Sequence, residues 1–239
     1  MTEPKDSMKI VVSRNGPYLV SGGIPLSMQI IQPNKDGSSW DWEEAKKFEI
    51  ETEYKLCRCG RSKNKPFCDS THEKIEFDGQ ETATRKPFVR RAKTYDGPKL
   101  VLKDAEDLCA FARFCDPGGK IWNLIEEGDP KARELAIREA NNCPAGRLVV
   151  QEKKTGKEIE HELPPSIGVV EDPALGCSGP LWVRGRIKIE SEDGMPYEVH
   201  NRVTLCRCGM SSNKPFCNGS HASIRFRDGL VEFVREKKG

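Results

Sequence analysis

The sequence is short of apolar residues and has no long hydrophobic run. Only 36% of its 239 residues are hydrophobic while 32% are charged. This composition favours several small units, each stabilised by cross-links such as metal sites, over one large core. No run approaches the roughly 18–20 residues that a membrane helix needs, and the opening MTEPKDSMK has no apolar stretch that would predict a secretory signal. The formal net charge is only +2, which excludes a strongly electrostatic nucleic-acid binder.

Motifs of the common catalytic and nucleotide-binding classes are missing as well. The sequence contains no G-x-G-x-x-G, no Walker loop, no nucleophile elbow and no supported carboxylate pair, so we do not expect an enzyme. Cysteine, by contrast, is plentiful, with ten residues. We expect a cytoplasmic protein, and disulfides are rare in that compartment. Metal ligation or thiol chemistry is therefore the expected use of these cysteines.

Most of the cysteines belong to a duplicated motif. Residues 56–72, LCRCGRSKNKPFCDSTH (the first motif), align without a gap with residues 205–221, LCRCGMSSNKPFCNGSH (the second motif), and twelve of the seventeen positions are identical. Upstream, GPYLVSGGIPL at 16–26 resembles GPLWVRGRIKI at 179–189, and both are typical of strands bounded by Gly and Pro. The first copy has a longer spacer, in which residues 38–48 predict an exposed insertion with a helical turn.

Each motif has the spacing C-x-C-x8-C-x3-H. The last Cys and the His are four residues apart and so face the same way on a helical turn, while the C-x-C pair requires a loop. The candidate ligands are Cys57, Cys59, Cys68 and His72 in the first motif (the first site) and Cys206, Cys208, Cys217 and His221 in the second (the second site). Three thiolates and one imidazole suit either zinc or an iron–sulfur cluster, and the spacing does not decide between them.

Both motifs resemble the CDGSH iron–sulfur domain, the family that includes mitoNEET. Besides the ligands, Ser62 and Pro66, and Ser211 and Pro215, match the family pattern. The resemblance implies one [2Fe–2S] cluster per copy, with the C-x-C pair on one iron and the Cys/His pair on the other. It also implies an intramolecular pseudo-dimer, because the family forms homodimers by strand exchange; residues 8–31 would pair near residues 179–206. The first copy reads C-D-S-T-H and the second C-N-G-S-H, so the two clusters need not share one potential.

The segment between the copies differs from them in its predicted secondary structure. Residues 102–115 predict a helix with Asp104 as a possible N-cap, and residues 129–140 predict a second helix with Asp129 as N-cap and Pro130 at its first position. Residues 147–163 predict a hairpin that turns near Thr155 and Gly156.

Three cysteines of this segment, Cys109, Cys115 and Cys143 (the middle site), resemble those of a divergent ferredoxin. Ala112 occupies the position of the second Cys in C-x2-C-x2-C, and Pro144 follows the distant Cys. Three ligands imply a [3Fe–4S] cluster, and Cys177, otherwise a spare thiol, would restore [4Fe–4S] as a fourth. On an unbroken helix Cys109 and Cys115 would point about 120° apart, so a shared cluster requires the helix to unwind; otherwise they are buried core thiols.

We therefore predict an α+β protein with three parts. Residues 1–93 form the first CDGSH copy with its N-terminal strands, 94–178 a small α+β ferredoxin-like domain (the middle segment), and 179–239 the second copy. Outside the sites, His161 and His200 are predicted to face solvent, Trp122 and Trp182 to lie in the core, and Lys65 and Lys214 to line the cluster loops.

The predicted function is electron transfer through two [2Fe–2S] clusters and one [3Fe–4S] cluster, to an unidentified redox partner protein and without nucleic acid or membrane. We expect a monomer with an internal pseudo-dimer. A neutral His ligand removes one negative charge and raises the potential, and its proton affinity makes cluster retention pH-dependent. A pH- or redox-sensing or cluster-transfer protein is the first alternative, and a zinc-binding interaction module is the second.

Overall fold

The computed structural model describes residues 8–232 of the chain, and strands dominate it. The strands are β1 (Lys9–Val12), β2 (Tyr18–Ser21), β3 (Leu26–Pro33), β4 (Ser39–Lys47), β5 (Glu53–Leu56), β6 (Lys93–Asp96), β7 (Leu100–Asp104), β8 (Leu148–Glu152), β9 (Ser166–Asp172), β10 (Cys177–Arg184), β11 (Lys188–Glu190) and β12 (Arg202–Leu205). The helices are α1 (Thr71–Lys74), α2 (Phe88–Arg91), α3 (Ile121–Glu126), α4 (Pro130–Asn142) and α5 (Ser220–Ser223). The predicted α+β class is confirmed in this β-rich form.

Two of the three sheets mix strands from both halves of the chain. One has the order β11-β1-β2-β5 and the other β12-β10-β9-β3-β4. Equivalent strands pair in equivalent register: Tyr18 lies opposite Leu56, and Leu181 opposite Leu205. The upstream sequence repeat therefore corresponds to a structural repeat.

Each half also contributes to the sheet of the other: the first half supplies β3 and β4, and the second half supplies β11. Leu26 at the start of β3 pairs in parallel with Ile167 of β9, and Ile189 of β11 pairs in parallel with Ile10 of β1. The exchange is reciprocal, and it builds a shared core from apolar side chains of both halves. β9 is buried along its whole length, as expected for an interior strand covered on both faces.

The middle segment contributes a sheet of its own, β6-β7-β8, on which α3 and α4 pack. The predicted second helix is confirmed as α4, and the side chain of Asp129 accepts hydrogen bonds from the amides of Lys131 and Ala132 as the N-cap. The chain reverses at 155–156 as predicted, although β8 is the only regular strand there. β9 lies within residues 94–178 but belongs to the mixed sheet, so the compact part of this segment ends before it.

Two predicted helical regions are wrong. Residues 102–115 contain the end of β7, a 3-10 turn at Glu106–Leu108 and then irregular chain with positive φ at Phe111 and Arg113. β7 buries every second residue, a strand period that the wider helical pattern obscured. Asp104 is not an N-cap but a fully buried partner of Arg147.

Residues 38–48 are also not a helical insertion. Their main part is β4, which pairs with β3, because the strand offers Trp42 an apolar partner in Ile31 and a stacking partner in Phe114 at 4.8 Å. Within residues 8–232, no helix is long and apolar enough to cross a membrane.

Candidate metal centres

The C-x-C pair of each site lies in the loop that follows a strand. The Sγ atoms of Cys57 and Cys59 are 3.8 Å apart, and those of Cys206 and Cys208 are 3.7 Å apart. Two thiolates on one tetrahedral metal, with metal–sulfur bonds of about 2.3 Å, are separated by roughly 3.8 Å. Each pair is therefore spaced to share a single metal atom.

The Cys/His pair of each site is held by a short helix, as the i, i+4 spacing predicts. His72 lies in α1 and His221 in α5, and in each site the Nδ1 atom is 3.4 Å from the thiol four residues earlier. A sulfur and an imidazole nitrogen on one tetrahedral metal are separated by about 3.5 Å. The Nδ1 atom, rather than Nε2, is thus the ligand that this geometry offers.

The two pairs of a site do not merge into a four-ligand cage. Among residues 8–232, no group of three or more Cys, His, Asp or Glu side chains is arranged to hold one metal ion. Two separate two-ligand pairs suit a group with two metal atoms better than one zinc ion with four ligands. The donor set therefore fits a binuclear iron–sulfur cluster.

Backbone amides surround the thiols. The amide of Arg61 donates to the Cys59 Sγ at 3.5 Å, and the amides of Ser70 and Gly219 donate to the thiols of Cys68 and Cys217 at 3.4 Å. Hydrogen bonds from the thiols of Cys59 and Cys208 lower the pKa of Cys57 and of Cys206 to about 6. One thiol of each pair is thus favoured as the thiolate, the form that binds metal, while the same hydrogen bond and burial raise the pKa of its partner, Cys59 or Cys208.

The two C-x-C loops touch each other through their glycines. A Cβ on Gly60 would lie 2.6 Å from the carbonyl oxygen of Cys208, and a Cβ on Gly209 would lie 2.6 Å from the carbonyl oxygen of Cys59. Both glycines have positive φ. The first and second sites therefore meet backbone to backbone, without an intervening side chain.

Tyr18 of β2 also connects the two copies. Its buried hydroxyl donates to the carbonyl oxygens of Cys206 at 2.7 Å and Pro215 at 3.0 Å. Burial raises the pKa of Tyr18 well above its usual value, so the hydroxyl stays a donor. In the second copy the equivalent position is Leu181, so this support reaches only the second site.

Burial distinguishes the two sites. Cys217 and His221 are 2% and 4% exposed, and burial lowers the pKa of His221 to about 4. Cys68 and His72 are half-buried, and a surface cavity of about 570 Å³ opens beside His72. The first site is thus the more accessible one.

The middle segment causes this difference. A Cβ on Gly219 would lie 2.9 Å from the Cβ of Phe111 and 3.7 Å from the carbonyl oxygen of Cys109. The loop that carries the first ligand of the middle site therefore covers the helix start of the second site. Burial raises the pKa of the Cys217 thiol, and Cys109 is close enough to contribute.

The three thiols of the middle site are near enough to interact electrostatically although the predicted helix is absent. Burial raises the pKa of the Cys115 thiol to about 12, and Cys109 and Cys143 are near enough to contribute to the rise. Burial likewise raises the pKa of Cys143. The positive φ values at Phe111 and Arg113 are the unwinding that a shared cluster requires.

The loop of the middle site also contains backbone amides that lack a backbone acceptor. Within residues 8–232, the amides of residues 110–114 donate no backbone hydrogen bond. Ala110, Ala112 and Phe114 of this loop are buried. Buried amides without partners are costly, and sulfur atoms of a cluster would accept from them. This cradle fits an iron–sulfur group better than it fits three inert core thiols.

Two buried arginines that sequence reasoning missed support the middle site. Arg147 forms a bidentate pair with Asp104 at 2.6–2.7 Å, and Arg202 of β12 donates to the carbonyl oxygens of Cys143 and Ala140 at 2.7 Å. Arg202 therefore ties the Cys143 loop to the strand that leads to Cys206. Neither arginine belongs to a motif, so no local signal could have found it.

The remaining predicted residues have simpler environments. All ten cysteines are free thiols. Trp182 is buried in the core and Trp122, half-buried, donates its Nε1 hydrogen to Asp104. Lys65 Nζ donates to the carbonyl oxygen of Ser62 within its loop, while Lys214 uses its own carbonyl to accept from the amides of 82 and 83.

Of the two histidines outside the sites, only one has the predicted environment. His161 faces solvent. His200 does not, because its ring packs edge-on against Phe88 at 5.9 Å, and burial lowers its pKa.

The comparisons with known proteins agree with the arrangement of the motifs. The family model described as "Iron-binding zinc finger CDGSH type" matches residues 15–73 and 178–222. The model described as "Divergent 4Fe-4S mono-cluster" matches residues 95–153. Searches of curated proteins and of solved structures returned no match.

Proposed function

We propose that this chain, an iron–sulfur protein in which two CDGSH-type segments flank a divergent 4Fe-4S segment, transfers single electrons through three neighbouring clusters. The observation that carries the proposal is the continuous contact between the three sites. Cys109 of the middle site lies against Gly219 of the second motif, and Gly209 of the second motif lies against Cys59 of the first. Redox centres this close suit conduction from one to the next.

The residues present determine what each site would hold. Cys57 and Cys59 would hold one iron of a [2Fe–2S] cluster and Cys68 and His72 the other, and the second site would repeat this arrangement. Such a cluster takes up and gives back one electron. A neutral His ligand leaves less negative charge than a fourth thiolate, which raises the potential.

For the middle site we propose three cysteine ligands and a [3Fe–4S] cluster. The groups that most affect the pKa of Cys177 are its own burial and the charges of Asp172 and Glu171, rather than another cysteine. Cys177 is paired into the β9–β10 ladder, where it lies opposite Asp172. This placement favours a spare thiol over a fourth ligand.

We also propose that the reciprocal exchange of β3 and β11 makes the molecule an internal pseudo-dimer. The paired registers of the two halves support this reading. As such it would act as a monomer in the cytoplasm, pass electrons to a protein partner, and catalyse no reaction on a small substrate itself.

A second candidate function is transfer of an intact cluster from the first site. The half-buried Cys68 and His72 and the cavity beside His72 favour it, because a departing cluster needs a route to solvent. Cys217 and His221 of the second site are buried, which makes release from that site less favourable. Incubation with an apo-ferredoxin, followed by iron analysis of both proteins, distinguishes transfer from electron flow.

The first experiment is iron and acid-labile sulfide analysis of anaerobically purified protein, with EPR before and after dithionite. We expect about seven irons per chain, a [3Fe–4S] signal as isolated and [2Fe–2S] signals after reduction. About four irons with only the [2Fe–2S] signals would remove the middle site from the proposal. Zinc without sulfide would overturn it.

A further inference from the structure

The Arg between the two cysteines of each C-x-C pair is buried and makes the same backbone contacts in both copies. Nε of Arg58 donates to the carbonyl oxygen of Gly16, and Nε of Arg207 donates to that of Gly179. The Nη2 atoms donate to the carbonyl oxygens of Ser13 and Val170, which precede these glycines. Two positive charges thus occupy equivalent places, 2% and 3% exposed, beside the two sites.

The charges that face these arginines differ. Arg207 is bonded to the carboxylates of Glu171 and Asp228, both with fully buried side chains. Arg58 has no carboxylate partner in residues 8–232; its Nη2 donates to the carbonyl oxygen of Gly79 at 2.7 Å, and its Nη1 is buried without a hydrogen-bond partner.

The chain itself explains the difference. Gly79 lies two residues after Phe77, as Asp228 lies two residues after Phe226, so the first copy has a glycine where the second has the aspartate. Between the two carbonyl groups that contact each arginine, the first copy has only residues 14–15, whereas the second copy has residues 171–178. Glu171 belongs to this longer segment. A Cβ on Gly79 would lie 1.9 Å from Arg58 Nη2, which leaves no room for a carboxylate there.

We propose that this unequal pairing gives the first site a higher reduction potential than the second, so that the first site is where electrons leave the protein. The inference rests on the proposed function, because it requires both sites to hold [2Fe–2S] clusters. Reduction adds a negative charge to a cluster, and an unneutralised guanidinium in a low-dielectric interior stabilises that charge. Glu171 and Asp228 cancel the same effect of Arg207.

Other charges around the two loops have smaller effects. The exposed Arg61 and Lys63 stand where the second motif has Met210 and Ser212, which also favours reduction of the first site. The carboxylates of the first copy oppose it: Asp69, Glu73, Glu76 and Asp78 stand where the second copy has Asn218, Ala222, Arg225 and Arg227. All these charges of the first copy are exposed, and solvent and salt screen exposed charges. The buried pairs therefore decide the order.

The proposed order of the two reduction potentials also agrees with the positions of the sites in the fold. The middle site touches the second motif, and the accessible Cys/His pair belongs to the first. Electrons that enter at the middle site would pass through the second site and reach the surface at the first. A partner protein would accept them beside His72.

The test is an EPR-monitored redox titration of the full-length, iron-loaded protein at pH 8. We expect two separate [2Fe–2S] waves, at least tenfold apart in equilibrium constant, or about 59 mV for a one-electron couple. Asp228→Asn should raise only the lower wave, by a comparable amount. Glu171→Gln, which can still accept a hydrogen bond from Arg207, should act in the same direction and serves if Asp228→Asn does not fold.

A matched control is Asp193→Asn, which removes an exposed carboxylate paired with Arg85 and should leave both waves in place. A single unresolved wave, or a shift of the higher wave in Asp228→Asn, would overturn the inference while leaving the clusters established. Absence of [2Fe–2S] signals in protein without acid-labile sulfide would instead mean that the proposed function has failed.

Discussion

Gly60 and Gly209 each lie against the carbonyl group of the other motif's second cysteine. The contact is reciprocal, and the distance to an added Cβ would be 2.6 Å on both sides. Real Cβ atoms do not approach a carbonyl oxygen so closely, so only glycine allows the two loops to meet. The direct backbone contact between the first and second sites depends on these two glycines.

We expect Gly60→Ala and Gly209→Ala to destabilise the protein strongly. A Cβ at positive φ costs about 1–2 kcal/mol by itself, and here it would also separate the two loops. Both variants should unfold at clearly lower denaturant concentration and purify with less iron.

Gly37→Ala is the matched control. Gly37 also has positive φ, but among the described residues no atom lies within 4 Å of its added Cβ. This variant should show the backbone cost of about 1 kcal/mol and keep its iron. If all three variants lost the same stability and kept their iron, the loop contact would have no special role.

Tyr18→Phe should weaken the second site more than the first. It removes the hydroxyl that donates to the carbonyl groups of Cys206 and Pro215. Pro215 keeps the Cys206 amide as a donor, but the Cys206 carbonyl loses the Tyr18 hydroxyl, and an unsatisfied buried acceptor costs about 1–3 kcal/mol. We expect lower unfolding free energy and faster loss of iron from the second site, measured by denaturation and by chelator kinetics.

Tyr54→Phe provides the comparison, because the Tyr54 hydroxyl donates to the carbonyl oxygen of Ile24, away from the motifs. Its unfolding free energy should also fall by about 1 kcal/mol, with iron release unchanged. Equal iron release in the two variants would contradict a specific support of the second site by Tyr18.

The sequence predicted which candidate ligand side chains lie side by side, because the two members of each pair are close in the chain. Cys68 and His72 are four residues apart, and the C-x-C pair is closer still, so their spacing carries the geometry. The repeat likewise predicted equivalent strands, since β2 and β10 have matching sequence.

The sequence could not predict partners that come from distant parts of the chain. The parallel pairing of β3 with β9 joins residues far apart in sequence, and periodicity says nothing about which strands meet. The carboxylates of Arg207 come from a hairpin and from the chain after α5. The false helix at 102–115 arose because apolar residues at helical spacing also fit a strand followed by an irregular loop.

Cysteine-to-serine variants test the middle site one ligand at a time. Cys109→Ser, Cys115→Ser and Cys143→Ser should each remove about three of roughly seven irons and abolish the [3Fe–4S] EPR signal. Cys177→Ser should keep the full iron content and the signal. Loss of middle-site iron in Cys177→Ser would identify this thiol as a fourth ligand and favour [4Fe–4S].

Ser70 and Gly219 occupy the same left-handed position in the two motifs, with φ values of 64° and 83°. Ser70→Gly should raise the unfolding free energy by about 1 kcal/mol, because glycine adopts this conformation without strain. Gly219→Ala should lower it by more than that, since its Cβ would meet Phe111. Thermal unfolding of both variants shows whether each substitution raises or lowers the stability. A loss of stability in Ser70→Gly would contradict the strain argument.

Glu139 of α4 should make stability depend on pH. Its side chain is 2% exposed and accepts a hydrogen bond from the Gly118 amide, and burial raises its pKa to about 7. Between the unfolded pKa near 4.5 and the folded value, the unfolded chain releases this proton while the folded protein keeps it. The unfolding free energy should therefore fall as pH rises through that range, by on the order of 2–3 kcal/mol.

Glu139→Gln removes this titration while it keeps the shape and the acceptor for Gly118. The difference in unfolding free energy between the variant and the parent should move in favour of Gln as pH rises from 4.5 to 7 and stay constant above. Denaturant unfolding at half-unit pH steps gives this curve. A difference that does not change with pH would mean that Glu139 is ionised in the folded protein, and that the Gly118 amide outweighs its burial.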